Sequence, residues 1–256
     1  MAVPAARVLE ANARYYLRTW RGSVISTFAV PLFTLLAMGH GLGRLVDDAG
    51  GAAGVSYIAF LAPGLLAATA MTTAAGESSY PVLAGIKWTK SFHAALATPV
   101  GVRDLVFGLF GWLGLRLLFS LTVYAVIMAA LGAVGWGAAL LAVAPATLTG
   151  MAFAAPITAW VATLQNDTSL SSMFRFGVMP LFLFSGTFFP VSQLPDWMQP
   201  VAFLSPLWHG VELTRGAAGI PGSPHLAWWL HAGMLFALVA AGTVLAVRNL
   251  STTMRK

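Results

Sequence analysis

The chain alternates between long runs without charge and short polar turns. The first such run, Gly22 to Leu42, holds 21 residues. At about 1.5 Å per helical residue it reaches roughly 30 Å, enough to cross the hydrocarbon layer of a membrane. Further runs follow at Ser56–Gly76, Leu105–Leu131, Ala138–Leu164, from about Phe176, and at Ala227–Val247. The third is broken only by Arg116, and Gly132–Gly137 leaves room for no more than a tight hairpin before the fourth. Pro31 predicts a kink in the first run. This pattern predicts an all-α integral membrane protein with six transmembrane helices, forming one domain over residues 1–256.

Two stretches depart from it. Before the first run, Arg7, Arg14, Arg18 and Arg21 share one helical face and Leu9, Ala13, Tyr16 and Trp20 the opposite one. Pro4 suits a first helical turn. Residues 4–21 are therefore expected to form an amphipathic helix lying in the headgroup layer, or else a basic flank that only sets orientation. The second stretch follows Phe184. Pro190, Pro195, Pro200 and Pro206 each remove a backbone donor, yet Phe188, Phe189, Trp197, Met198, Val201, Phe203, Leu204, Leu207 and Trp208 remain apolar between them. A broken segment over 188–216 that re-enters the membrane accounts for both features, given partners for its backbone.

Composition supports the membrane reading. Hydrophobic residues make up 58% and charged residues 9%, against about 25% charged in soluble domains, and the mean hydropathy is +0.80. The formal charge of +6 does not point to nucleic acid, because the cations gather at the ends of alternate runs. With a cytoplasmic N-terminus, 11 cations fall inside (Arg7, Arg14, Arg18, Arg21, Lys87, Lys90, Arg103, Arg175, Arg248, Arg255, Lys256) and 2 outside, Arg44 and Arg215. The positive-inside rule then puts both termini in the cytoplasm, with the first span retained. There is no cysteine, hence no disulfide or thiolate chemistry.

Little in the chain resembles a catalytic or nucleotide site. Gly85 to Lys90 lacks the glycines of a phosphate loop, so any ATP is bound by another subunit. Residues 83–99 set Leu83, Ile86, Trp88, Phe92 and Leu96 among Lys87, Lys90 and His93; large apolar residues in a short cytoplasmic loop ask for a partner surface or the membrane interface. Arg116, in mid-span, is expected to face a cargo path, to pair with a carboxylate, or to reach water through tilt. Glu77 and Asp167 end spans on the cytoplasmic side. Glu212 and Arg215, at i, i+3, suggest either a local ion pair or part of an outer gate. His209 with Glu212 is too little for a metal site, and His225 and His231 are expected at the interface beside Trp228 and Trp229. No nucleophile elbow or H-E-x-x-H occurs, and Gly39-x-x-x-Gly43 allows close helix approach.

The residues FFPVSQLPDWMQPVAFLSPLWHGVELTRG, with FLAPGLL (Phe60–Leu66) and LATP (Leu96–Pro99), resemble the ABC transporter type-2 permeases, in particular the nodulation lipo-oligosaccharide and daunorubicin-resistance permeases. The resemblance implies a bacterial inner-membrane exporter subunit with an N-terminal elbow helix. It implies a dimer of permeases, identical or paired, on two cytoplasmic ABC ATPase subunits that hold the ATP and magnesium; this chain would bind no cofactor itself. The loop carrying Lys87, Trp88, Lys90, Phe92 and His93 would dock on the ATPase. Phe188, Phe189, Trp208, Glu212 and Arg215 would form the outer gate, and the cargo would be a lipid-linked oligosaccharide, glycolipid or drug. The competing classes are an ion-driven secondary transporter, which lacks a mid-span carboxylate, and a lipid-modifying membrane enzyme. The topology is open to one-sided labelling. In the cysteine-free chain, Trp88→Cys should react with an impermeant thiol reagent only from the cytosol and Trp197→Cys only from outside; the reverse pattern would overturn the topology.

Overall fold

A computed structural model describes residues 4–48, 51–52, 54–220 and 226–255, with the side chains of residues 18–27 and 40 left undescribed. Arg18, Trp20 and Arg21 are among those side chains, and His225 and Lys256 lie outside the described residues. Helix α1 spans Pro4–Thr34, passes into a π-helical turn at Leu35–Leu42, and ends in α2, Gly43–Asp48. Next come α3 (Tyr57–Ser78), α4 (Tyr80–Leu83), a π-helical turn at Ala84–Trp88, and α5 (Ser91–Leu96). Then follow α6 (Val102–Ala130), α7 (Trp136–Leu141) and α8 (Val143–Val161). After α9 (Thr168–Met173) and the π-helical Phe174–Val178 lies α10, Met179–Phe184. A 3₁₀ turn at Val191–Gln193 leads to α11 (Gln199–Phe203), α12 (Pro206–Ala217) and α13 (Trp228–Met254).

Helices are what these apolar runs must form, since a membrane supplies no water to backbone groups. Which helix lies where depends on how the apolar residues are spread around it. Helix α3 is apolar on all sides and rich in alanine, and it is buried along most of its length, as expected of a central helix. It packs against α6, α8 and α12. Leu61, Leu65 and Leu66 of α3 meet Leu117 and Leu121 of α6 in the main core. Helix α13 packs on α8 but turns Phe236, Val244 and Leu245 outward.

Five stretches are long and apolar enough to cross a membrane: Phe28–Asp48, Tyr57–Trp88, Val102–Ala130, Trp136–Val161 and Trp228–Met254. The expected fifth span is a 17-residue apolar helix, Thr168–Phe184, that falls short by length. Six full spans are thus not what the described residues contain.

Helix α1 also differs from expectation. It runs unbroken past residue 21, through Pro31, so the amphipathic stretch and the first span are one helix. Its apolar face is used against α6: Ala5 and Val8 close over Gly108, Leu9 over Gly111, and Tyr16 lies 5.6 Å from Trp112 between ring centroids. Contact with α6 therefore takes up part of the apolar face.

At the far end of α13, Asn249 donates to the Ala159 carbonyl at 2.8 Å and Thr253 to the Ala162 carbonyl at 2.8 Å. Both bonds serve carbonyls of the last turn of α8, which lack an intrahelical donor. Asn249→Ala together with Thr253→Ala should remove about 0.5–1.5 kcal/mol per bond, seen as a lower melting temperature in detergent. An unchanged melting temperature would dismiss these caps as stabilising.

Candidate functional site

The proline-broken stretch is built so that its last helix comes back into the bundle. Helix α10 stops at Phe184, and Gly186 turns the chain with a φ of 78°, a left-handed value that suits glycine. On the return side, Ser205 caps α12, its Oγ accepting from the amides of Leu207 (3.2 Å) and Trp208 (3.4 Å), with Pro206 in the first turn. The two arms are tied by a buried hydroxyl pair, Ser185 Oγ to Ser205 Oγ, at 2.7 Å. Helix α12 then lies among α3, α8 and α13.

Arg215 on α12 holds this arrangement together. It is 2% exposed. Its Nε donates to the Phe60 carbonyl of α3 at 3.2 Å, and Nη2 to the carbonyls of Gly186 (2.7 Å) and Thr187 (3.1 Å). Nη1 lies 3.7 Å from Glu212 Oε1, and the guanidinium sits 3.7 Å from the centroid of the Phe60 ring. One side chain thus joins α3, the turn after α10, and α12. Gly64 makes room for it, since a Cβ there would stand 2.9 Å from Nη2 and 3.0 Å from the Thr187 carbonyl.

Beside it, Trp208 packs edge-on against both His209 and His231, and the two imidazoles meet Nδ1 to Nδ1 at 2.9 Å. His231 is therefore buried against α12, not at an interface beside Trp228 and Trp229; the structure corrects that expectation. On the other side of the hairpin lies a cavity of about 750 Å³. Met38, Leu42, Tyr57, Phe182, Phe188 and Phe189 are among its walls, which carry no charged side chain among the described residues. Phe188 is held edge-on to Phe182 at 5.2 Å.

A second polar cluster occupies the opposite end of α3. Arg116 Nη1 meets Glu77 Oε2 at 2.8 Å, and the guanidinium lies 5.0 Å from the Tyr16 ring centroid, so α1, α3 and α6 are joined there. Of the three expectations for Arg116, pairing with a carboxylate is the one seen. The turn just beyond exposes Trp88 (57%), Lys90 and His93. Lys87 reaches Gln165 at 3.2 Å. Lys90 adopts a left-handed φ of 52° where the π turn gives way to α5, a conformation costing a non-glycine residue roughly 1–2 kcal/mol. Leu83 and Ile86 are buried in the chain's own core, and Phe92 folds back over Gly85. Leu83 and Ile86 need no outside partner, contrary to the sequence reading.

Residues 8–218 match the family model described as ABC-2 type transporter. The chain belongs to the ABC-2 type transporter family. It is 32% identical over 226 residues to nodulation protein J of Sinorhizobium fredii, covering 83% of this chain and 84% of that one. The corresponding protein of Rhizobium meliloti is 32% identical over 238 residues (89% and 89%), and that of Bradyrhizobium diazoefficiens 32% over 242 residues (90% and 90%). With its spanning helices, this ABC-2 protein is a membrane permease, a transport component of a bacterial membrane.

The structure gathers the residues named from sequence into two groups. Trp208, Glu212 and Arg215 come together inside the bundle rather than on an exposed rim, and Phe188 and Phe189 line the adjoining cavity. Lys87, Trp88, Lys90, Phe92 and His93 cluster at the other end of α3. Among the described residues no group of three or more metal-ligating side chains occurs. Sequence reading missed Phe60 as the seat of Arg215, Glu77 as the partner of Arg116, and His231 as the partner of His209. Only the FLAPGLL stretch carried a signal, since it holds both Phe60 and Gly64. Arg215→Ala would leave three carbonyls without this donor and break the pair with Glu212, a loss of about 3–5 kcal/mol, and Arg215→Lys should fall between it and the parent. Thermal unfolding in detergent measures both; a parental melting temperature for Arg215→Ala would remove this side chain from its anchoring role.

Proposed function

We propose that this ABC-2 permease is the membrane subunit of an ATP-driven exporter that moves an amphipathic or hydrophobic cargo out across the plasma membrane. ATP and magnesium act on a separate cytoplasmic ABC ATPase subunit, and two permease subunits, identical or paired with a sibling, enclose the path. Both termini face the cytoplasm, and α12 lies re-entrant in the outer half of the bilayer. The observation that carries this reading is the single stretch Tyr57–Trp88. Near one end the Phe60 carbonyl receives Arg215 of the outer hairpin; at the other, exposed Trp88 and Lys90 stand where a partner can reach them. From Phe60 to Trp88, 28 positions on, the helical turns are interrupted at Ser79 and cover roughly 40 Å, so a push on Trp88 displaces the hairpin.

The cavity supports the cargo class. Its apolar walls suit an acyl or aromatic moiety, since a bare ion or free sugar would lose hydrogen bonds to water there without replacement.

Of the coupling residues, Trp88 is the exposed large aromatic, and its side chain can be truncated without disturbing the chain's own core. Trp88→Ala should leave membrane insertion and melting temperature unchanged. In proteoliposomes with the ATPase partner, it should lower cargo export per ATP hydrolysed by about tenfold, the effect of losing an aromatic anchor worth roughly 1.4 kcal/mol or more. Full coupling in this variant would sink the docking site. Export driven by an ion gradient without ATP would sink the class.

A further inference from the structure

A second recess lies against the short apolar helix Thr168–Phe184. It is an open groove of about 410 Å³ between the end of α8 and the first turns of that helix, walled by Trp160, Ser169, Ser172, Met173, Phe176 and Gly177. Its neighbours fix its place in the bundle. The Ser171 and Tyr80 hydroxyls meet at 3.4 Å, and Gln165 accepts from Lys87 at 3.2 Å, so the groove opens at the end that carries Trp88. The helix has two distinct faces. Leu170, Phe174, Val178 and Leu181 pack into the bundle, whereas Ser172, Phe176, Met179 and Leu183 are exposed. Steps of four, three and four residues set those exposed side chains on one stripe. The stripe begins in the groove, and at its other end Leu183 lines the cavity beside Phe182 and Phe188.

The groove has a polar part and an apolar part. Ser169 and Ser172 offer exposed hydroxyls near the start of the helix, while Met173, the Trp160 ring and Phe176, 75% exposed, supply the rest of the wall. No charged side chain lines it among the described residues; Asp167 and Arg175 stand exposed before and after the two serines. A water-soluble ligand would leave the apolar wall uncovered, and a bare hydrocarbon would leave the hydroxyls unused. A molecule with an oxygen-rich head and an apolar tail answers both, since a serine hydroxyl can donate to and accept from such a head. We propose that this groove is an intake site for an amphiphile of the cytoplasmic leaflet, its head at Ser169 and Ser172 and its tail on Met173, Phe176 and Trp160, and that the stripe through Met179 leads the tail on to Leu183 and the cavity. That the occupant goes on to be exported rests on the exporter reading; that the groove holds it does not.

The test uses the full chain in phosphatidylcholine nanodiscs with a lysophosphatidic acid that carries a diazirine near the end of its tail, irradiated and mapped by mass spectrometry. Val244 and Leu245 of α13 face outward and line neither recess, and they report ordinary lipid contact. Adducts on Met173, Phe176 and Trp160 are expected in excess over adducts on those two. Gly177→Leu fills the groove, and a Cβ at that position meets nothing within 4 Å. The variant should keep the parental melting temperature while the groove adducts fall about tenfold; Phe176→Ala, which strips an exposed wall, serves if the leucine variant does not fold. Equal yields in the groove and on α13, or groove adducts that persist in Gly177→Leu, would overturn the site. In proteoliposomes with the ATPase partner, Gly177→Leu should lower export of the same probe, and selective labelling with unchanged export would overturn the intake role. A parent chain that exports nothing with the ATPase and ATP sinks the exporter reading instead, and the labelling alone then decides the groove.

Discussion

A guanidinium sealed from solvent is the constraint on which the rest of this molecule turns. Removing such a group from water is costly unless its donors are taken up. Arg215 has carbonyls from Phe60, Gly186 and Thr187 and the carboxylate of Glu212 around it. Those partners come from three stretches of chain that local propensity would never bring together. Because the cation must be satisfied, the position of α12 depends on the position of α3, and the proline-broken segment acquires a defined course. Gly64 and Gly186 are steric consequences, one leaving space for the guanidinium and the other turning the carbonyl toward it.

Helix α3 gains its importance from this anchor and from its composition. Alanine and glycine let α6, α8 and α12 approach it closely, with packing in place of a hydrophobic driving force between helices. It continues to Trp88 through α4 and the π turn, after a break in helical geometry at Ser79 (φ −100°, ψ −95°). Between Tyr57 and Ser78 this closely surrounded helix resists local deformation, because packed interiors resist compression.

How much of this could be read from the residues alone depends on the distance over which each feature is encoded. The long apolar runs are local, and Tyr57–Trp88, Val102–Ala130, Trp136–Val161 and Trp228–Met254 lie where hydropathy puts them. The return of α12 into the bundle was signalled by apolar residues persisting between prolines. Residue 21, where the composition of the helix face changes, marks no break in α1, which runs on to Thr34. Leu83 and Ile86 misled for a related reason: apolar residues in a connection look unpartnered until the connection proves to be the last turns of a buried helix. Arg215 and Phe60 are separated by 155 positions, and no periodicity in the sequence spans that distance. His231 illustrates the limit from the other side, since neighbouring tryptophans suggested a membrane interface while a residue on another helix decided its burial.

The distribution of charge carries a final argument. Glu77 with Arg116 and Glu212 with Arg215 pair off within the apolar body, near opposite ends of α3. Each pair binds helices together, and neither lines the cavity between Met38, Phe182 and Phe188. Separate use of charge has an energetic cause: an ion pair in an apolar body is held only while its hydrogen bonds are made, and losing one partner leaves the other uncompensated. Confining the charges to the joints leaves the cavity wall apolar, so the two kinds of surface stay separate along the same scaffold.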